Sequence, residues 1–128
     1  MRENEPREFD IELTENVPAP IPGSDRTAAV FSDREKVDNL KKVHSNFTYT
    51  SLDRDNIVGA IRVRSRRPGD RLRVRGVSRT VKSLLQEAGV PASERDSLPV
   101  FCDGRGPVWI PGVDVGQNGC LFLCAWRE

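Results

Sequence analysis

Arginines repeated at alternate positions are the residues of this chain best placed to do chemistry. Residues 62–82 read RVRSRRPGDRLRVRGVSRTVK, with eight Arg and one Lys against a single acid, Asp70. The chain as a whole carries a net charge of only +1. Residues 1–61 hold eight basic and twelve acidic side chains, and residues 83–128 hold three and six. A nearly neutral total therefore hides one basic island between two acidic flanks. Such a surface releases counterions when it meets phosphates, which gives affinity with little information about bases. Binding of an anionic polymer is the chemistry this pattern suits. The alternative is that the arginines pair with the acidic flanks or solvate a sheet face.

Other chemistry has little to work with. Cys102, Cys120 and Cys124 form an odd set without CxxC spacing, and the single histidine, His44, lies far from them in sequence. Zinc needs four N/S ligands in tight pairs, so the expectation is no metal and reduced, largely buried thiols in strands. Glu94 and Asp96 lie two apart and face different ways on a helix, a poor acid/base pair. No convincing nucleophile and base occur together. Asn46-Phe47-Thr48 matches a glycosylation sequon but reads as chance without a secretion signal. No run approaches the ~20 apolar residues that span a bilayer, so no membrane partner and a cytoplasmic location are expected.

The elements that must carry the island follow from periodicity. With 37% hydrophobic and 30% charged residues, nine Pro and ten Gly, the 128 residues suit a modest core with much loop. Residues 1–7 are charged and read as frayed. In residues 8–14, Phe9, Ile11 and Leu13 alternate with polar residues as in a half-buried strand. NVPAPIPGSD is extended or loop, AAVFSD a short strand, and residues 34–44 a helix on Val37, Leu40 and Val43. Ile61 and Val63 alternate with Arg62 and Arg64. Arg67-Pro68-Gly69-Asp70 then has the residues of a type II turn, after which Leu72 and Val74 alternate with Arg71, Arg73 and Arg75. The pattern predicts an Arg-rich hairpin of 61–64 against 71–75. Ser78 would cap a helix over residues 79–88 with Val81, Leu84, Leu85 and Ala88 inward, and Arg79 and Lys82 in its first turn. A second short helix after Pro91 and strands in PVFCD, PVWIPG and CLFLCAW complete the set. Trp109 and Trp126 fall in apolar strands and read as core. The fold class expected is α+β: a small mixed sheet with the hairpin, a short helical pair and an extended N-terminal segment.

The run IRVRSRRPGDRLRVRG…TVKSLLQEAGVPASERDSLPVFCDGRGPVWIPGV resembles the C-terminal domain of the tRNA(Ile)-lysidine synthetase family. The matching pieces are Arg-x-Arg-x-x-x-Gly-Asp-Arg, the Lys-bearing helix, Val-Pro-x-x-x-Arg-Asp-x-x-Pro and Trp-Ile-Pro-Gly-Val, in that order. YTSLDRDNIVGAI looks like the approach to that domain. The resemblance implies an enzyme that uses ATP to adenylate the wobble cytidine of a minor isoleucine tRNA, after which lysine displaces AMP. Its chemistry would lie in an N-terminal ATP-pyrophosphatase domain, with the C-terminal domain helping to hold the tRNA.

That enzyme's Ser-Gly-Gly-x-Asp-Ser phosphate loop occurs nowhere here, and Gly23 is the only glycine before residue 59. Residues 1–128 are therefore expected to be inactive alone, with no cofactor bound. ATP and lysine would belong to a catalytic domain acting in cis or in trans, whether this is a piece of a longer enzyme or a stand-alone domain. The expected division is an N-terminal segment, 1–57, and a lysidine synthetase C-terminal-like domain, 58–128. Arg64, Arg66, Arg67 and Arg71 are the leading candidates for tRNA phosphate contacts, with Arg79 and Lys82 next. Arg95 is either a further contact or an ion-pair partner of Asp96, while Asp70 is a turn residue or orients a neighbouring Arg. Replacing Arg64, Arg66 and Arg67 by Ala is expected to weaken tRNA binding without harming the fold. The competing reading is a basic module that docks an acidic protein surface or the catalytic domain itself.

Overall fold

The computed structural model describes residues 8–95 and 97–127. In chain order the elements are β1 (Asp10–Glu12), β2 (Ala19–Pro20), β3 (Arg26–Phe31), α1 (Arg34–Val43) and β4 (Thr48–Leu52). A single 3-10 turn (Arg54–Asn56) leads to β5 (Arg62–Arg64), β6 (Arg71–Val74), β7 (Val77–Thr80), α2 (Val81–Glu87) and α3 (Ala92–Arg95). Strands β8 (Val100–Asp103), β9 (Gly106–Trp109) and β10 (Leu121–Arg127) follow. The class is α+β, but in place of one mixed sheet there are two four-stranded sheets, ordered β1-β5-β8-β9 and β2-β3-β10-β4, and a two-stranded ribbon, β6-β7. Every strand pairing is antiparallel.

Burial explains the central strand. In β10, Leu121, Leu123 and Ala125 join the large core between the sheets, while Phe122, Cys124 and Trp126 join a smaller one beneath α1. Both faces are covered, so the strand reads as a continuous apolar run. It pairs with β3 on one side and β4 on the other. β1 likewise pairs with β5, with Ile11 opposite Val63. Strands from residues 1–57 thus share both large sheets with strands from 58–128, and residue 57/58 does not divide two sets of strands. The expected frayed stretch, 1–7, lies outside the described residues.

Two local expectations change. The 67–70 turn forms, with Gly69 at φ +84° and the Asp70 N–H donating to the Arg67 carbonyl at 3.2 Å. It is a corner between sheets and does not close a hairpin, for β5 lies between β1 and β8 while β6 pairs with β7. Opposed arginines would repel across a β5-β6 pair. β1 instead sets Asp10 opposite Arg64 and Glu12 opposite Arg62. The true hairpin turns at Arg75 and Gly76, both at positive φ (+51° and +84°), as a two-residue hairpin loop with matching twist requires.

The helix after it begins at Val81. Thr80 is the N-cap, its Oγ1 accepting the Ser83 N–H at 3.2 Å, whereas Ser78 lies in β7. Arg79 is accordingly a strand residue, and only Lys82 sits in the first helical turn. Val81, Leu84 and Leu85 are buried but Ala88 is exposed. In α1, Asp33 caps through the Glu35 N–H at 2.9 Å, and Val37 and half-buried Leu40 face the core. Val43, expected on that stripe, is 75% exposed.

Leu85→Ala should lower stability by about 2–5 kcal/mol, the cost of an unfilled leucine site. Val43→Ala should change it by no more than about 0.5 kcal/mol, as for a solvated position. Urea unfolding midpoints of the two variants check both expectations.

Candidate nucleic-acid interface

The basic surface is built outward from one buried ion pair. Arg64, at the end of β5, donates from Nη1 to Asp70 Oδ2 at 2.9 Å and from Nη2 to Oδ1 at 2.8 Å. Nη1 also reaches the Ser65 carbonyl at 3.0 Å. Asp70 Oδ2 accepts the Arg67 N–H at 2.8 Å, and its backbone carbonyl accepts the Val81 N–H at 2.9 Å. One carboxylate residue thereby ties β5, the corner and the start of α2 together. The side chains of Arg64 and Asp70 are only 10% and 9% exposed. Burial by itself would raise the Asp70 carboxyl, but the bonds from Arg64 and the Arg67 amide outweigh it and hold it below the usual carboxylate range. The same side-chain bond raises the Arg64 guanidinium.

Arg64, expected at a tRNA phosphate, instead has its guanidinium committed inward to Asp70, so replacing it would act through stability. Asp70 is both the turn residue and the partner that orients an arginine. The corner presents other cations. Arg67 has a side chain 61% exposed, with its Nη2 3.7 Å from Asp10 Oδ2. It lines an open cleft of about 450 Å³ with half-buried Arg66, Pro68, Gly69 and the exposed Lys82.

The ribbon presents a second group. Arg71 and Arg73 stand two apart on β6 and share a face. Arg71 is braced across the ribbon, Nε donating to Ser78 Oγ at 2.9 Å and Nη2 to the Ser78 carbonyl at 3.1 Å. Both line a cleft of about 600 Å³ together with Arg105, from the β8-β9 turn. Arg105 was not among the expected residues. Its DGRG turn shows in the sequence, but nothing local says that it folds against the ribbon. Arg79 pairs with Glu87, and Arg95 donates from Nε to the Val90 carbonyl at 3.0 Å. Neither lines these two clefts, and Asp96, the expected partner of Arg95, lies outside the described residues.

The acidic flanks also reach the island. Arg62 bonds Asp10 at 2.8 Å and approaches Glu12 at 3.5 Å, and Arg75 meets Asp114 at 2.7 Å. Exposed pairs of this kind are weak and screened by salt, so a phosphate can replace the carboxylate. Among the described residues, Arg73 and Lys82 have no acidic partner.

The remaining chemistry is sparse. Cys102 and Cys124 are buried, and burial pushes the Cys124 thiol up to about 12; Cys120, expected in a buried strand, is exposed. No metal-binding cluster occurs among the described residues. Trp109 and Trp126 are buried. All strand pairings among the described residues are antiparallel, so they contain no βαβ unit of the kind that cradles nucleotide phosphates.

Asp70→Asn should cost about 3–5 kcal/mol, since it leaves the buried Arg64 charge without its counterion. Because the folded Asp70 pKa lies below the unfolded value of about 3.9, its contribution is complete above that pH and is lost as pH falls through the folded pKa. The stability gap between wild type and variant should therefore close on acidification. Urea midpoints across an acid pH series measure it, and a gap unchanged with pH would contradict the assignment.

The comparisons with known proteins agree with this architecture. The family model described as the TilS substrate C-terminal domain matches residues 61–126, just over half of the chain. A tRNA(Ile)-lysidine synthase of Symbiobacterium thermophilum is 47% identical over 64 residues, covering 48% of this chain and 13% of that protein. The bifunctional protein TilS/HprT of Listeria innocua is 35% identical over 95 residues, covering 64% of this chain and 15% of its own length. The chain thus matches a small fraction of these relatives. A solved structure described as the crystal structure of the TILS C-terminal domain superposes with a TM-score of 0.66 at 22% identity, over 95% of this chain and 97% of the other. That likeness extends the shared fold to the strands before residue 61. By the match over residues 61–126, the chain belongs to the TilS substrate C-terminal domain family.

Proposed function

We propose that this chain is the tRNA-holding C-terminal portion of a tRNA(Ile)-lysidine synthase. In this reading it steadies a minor isoleucine tRNA while a catalytic ATP-pyrophosphatase domain, in cis or in trans, forms lysidine on the wobble cytidine in the cytoplasm. ATP and lysine act at that other domain. This chain contributes the grip. The observation that carries the reading is the set of exposed cations, Arg67, Lys82, Arg71 and Arg73, around two open clefts on a base fixed by Asp70. Paired RNA is read mostly through shape, phosphates and 2′-hydroxyls, which suits a surface rich in guanidinium and poor in exposed aromatics.

The ion pairs from Arg62, Arg67 and Arg75 to exposed acids favour a second reading. A surface that already accepts carboxylates could dock an acidic protein face, including that of the catalytic domain.

One titration separates the two. For the chain with a minor isoleucine tRNA transcript, log K should fall with log salt at a slope of about −3 to −5, as roughly four to six phosphate contacts require. Replacing Arg67, Arg73 and Lys82 together by Ala should weaken binding and flatten that slope by about 2 to 3, with the urea midpoint little changed. An unrelated tRNA measures selectivity and an acidic protein serves as the competitor. No tRNA binding at low salt, with the acidic protein bound, would favour the docking reading.

A further inference from the structure

The β8-β9 turn, Asp103-Gly104-Arg105-Gly106, sets a buried acid two residues before an exposed arginine. The side chain of Asp103 is 1% exposed and that of Arg105 66%. A carboxylate taken out of water needs hydrogen-bond partners, and Asp103 finds them in the backbone. Its Oδ1 accepts the Arg105 N–H at 2.8 Å and its Oδ2 the Val58 N–H at 3.1 Å. The turn is thereby fastened to the segment before β5, 45 residues earlier in the chain. Gly104 completes the join, its N–H donating to the Val58 carbonyl. A Cβ at Gly104 would stand 2.9 Å from that carbonyl oxygen, so only glycine lets the two backbones meet this closely.

Arg105 is held at a second point. Its Nη2 donates to the Asn56 carbonyl and lies 3.8 Å from Asp103 Oδ2. That bond uses one of five guanidinium N–H groups, and the exposed head keeps donors for a further acceptor. The ribbon strand β6 lies beside β9 and brings Arg71 and Arg73 to the same 600 Å³ cleft as Arg105. Of the residues lining that cleft only Asp103 is acidic, and its carboxylate is buried against backbone amides. Three guanidinium groups thus share a cleft whose lining holds no exposed carboxylate, a setting that suits the phosphates of an RNA strand.

We propose that Arg105 is a phosphate contact of the tRNA-holding surface and that Asp103, buried beneath it, is the positioning residue that keeps it in place. This rests on the tRNA-holding reading and adds to it a contact outside the arginine island. A long side chain loses entropy when a ligand orders it. Asp103 lowers that loss by fixing the backbone from which Arg105 projects.

The sign of one charge change tests the assignment, read by tRNA titration of the whole chain. Asp103→Asn makes the chain more positive, so attraction through charge alone would tighten tRNA binding. Asparagine, however, offers one acceptor atom where two N–H groups meet two, and the turn is released. Binding should therefore weaken about two- to tenfold, the cost of ordering one long side chain. Asp114→Asn is the charge control. It neutralises an exposed acid beside Arg75 and keeps an oxygen for the Gly116 N–H, so binding should hold or tighten. Arg105→Ala should flatten the slope of log K against log salt by about 1, with the urea midpoint little changed. Adding Asp103→Asn to Arg105→Ala should cost no further affinity, because the acid acts through that arginine.

The proposal is overturned if Asp103→Asn binds as tightly as wild type, if the two losses add, or if Arg105→Ala leaves the slope unchanged. The last outcome decides even where Asp103→Asn does not fold, since Asp103 would then have no contact to position. A wild-type chain that binds no tRNA at low salt overturns the tRNA-holding reading together with this proposal. Wild-type binding with an unchanged Arg105→Ala slope overturns this proposal alone.

Discussion

The buried pair of Arg64 and Asp70 is the constraint on which the basic surface depends. A corner rich in arginine would otherwise repel itself and stay open. Here one carboxylate accepts two guanidinium N–H groups and a backbone N–H, while its own carbonyl takes the first amide of α2. Desolvating such a pair is costly, and its net contribution to stability is modest. What it adds is position, because the corner, the strand before it and the helix after it cannot move independently. The exposed cations inherit that rigidity. A binding surface made of long flexible side chains loses less entropy on contact when the backbone beneath it is already fixed.

The charge asymmetry in the sequence takes on a second meaning in three dimensions. Acids from both flanks come to the island, with Asp10 shared between Arg62 and Arg67 and Asp114 set against Arg75. These pairs explain how so much positive charge coexists in the free protein. They are exposed and screened by solvent, so they moderate repulsion without locking the arginines away. The two readings of the island weighed from sequence, anion binding and pairing with the flanks, are therefore compatible.

Much of the local structure was legible before any coordinates. Alternation marked the strands around Ile11, Val63 and Leu72, and the spacing of Val81, Leu84 and Leu85 marked α2. Pro68 and Gly69 marked a reversal. What periodicity cannot carry is the identity of a strand's partner. The arginine pattern in 62–64 and 71–74 fits a hairpin as well as it fits two strands in different sheets, and only the acids of β1, some fifty residues earlier, decide between them. The same limit applies to the candidate residues. Arg64 and Arg67 look alike in sequence, yet one is buried and one solvated, because Arg64 ends β5 against Asp70 while Arg67 stands in the corner beyond the strand. Distant pairs are equally hidden: Arg26 and Arg127 lie a hundred residues apart, and their adjacency is created by the register of β3 on β10.

That register also bears on how the molecule comes into being. β10 lies between β3 and β4, and its Phe122 is set opposite Phe31 from near the beginning of the chain. Until residues 121–127 have left the ribosome, two strands made much earlier lack the neighbour that joins them, and their apolar edges stay open. Antiparallel pairs this distant in sequence form slowly, since a long loop must close before any contact rewards it. The sheet is completed from its middle by the last of its strands in chain order, so a chain that stops short of residue 121 would hold β3 and β4 without the strand that joins them.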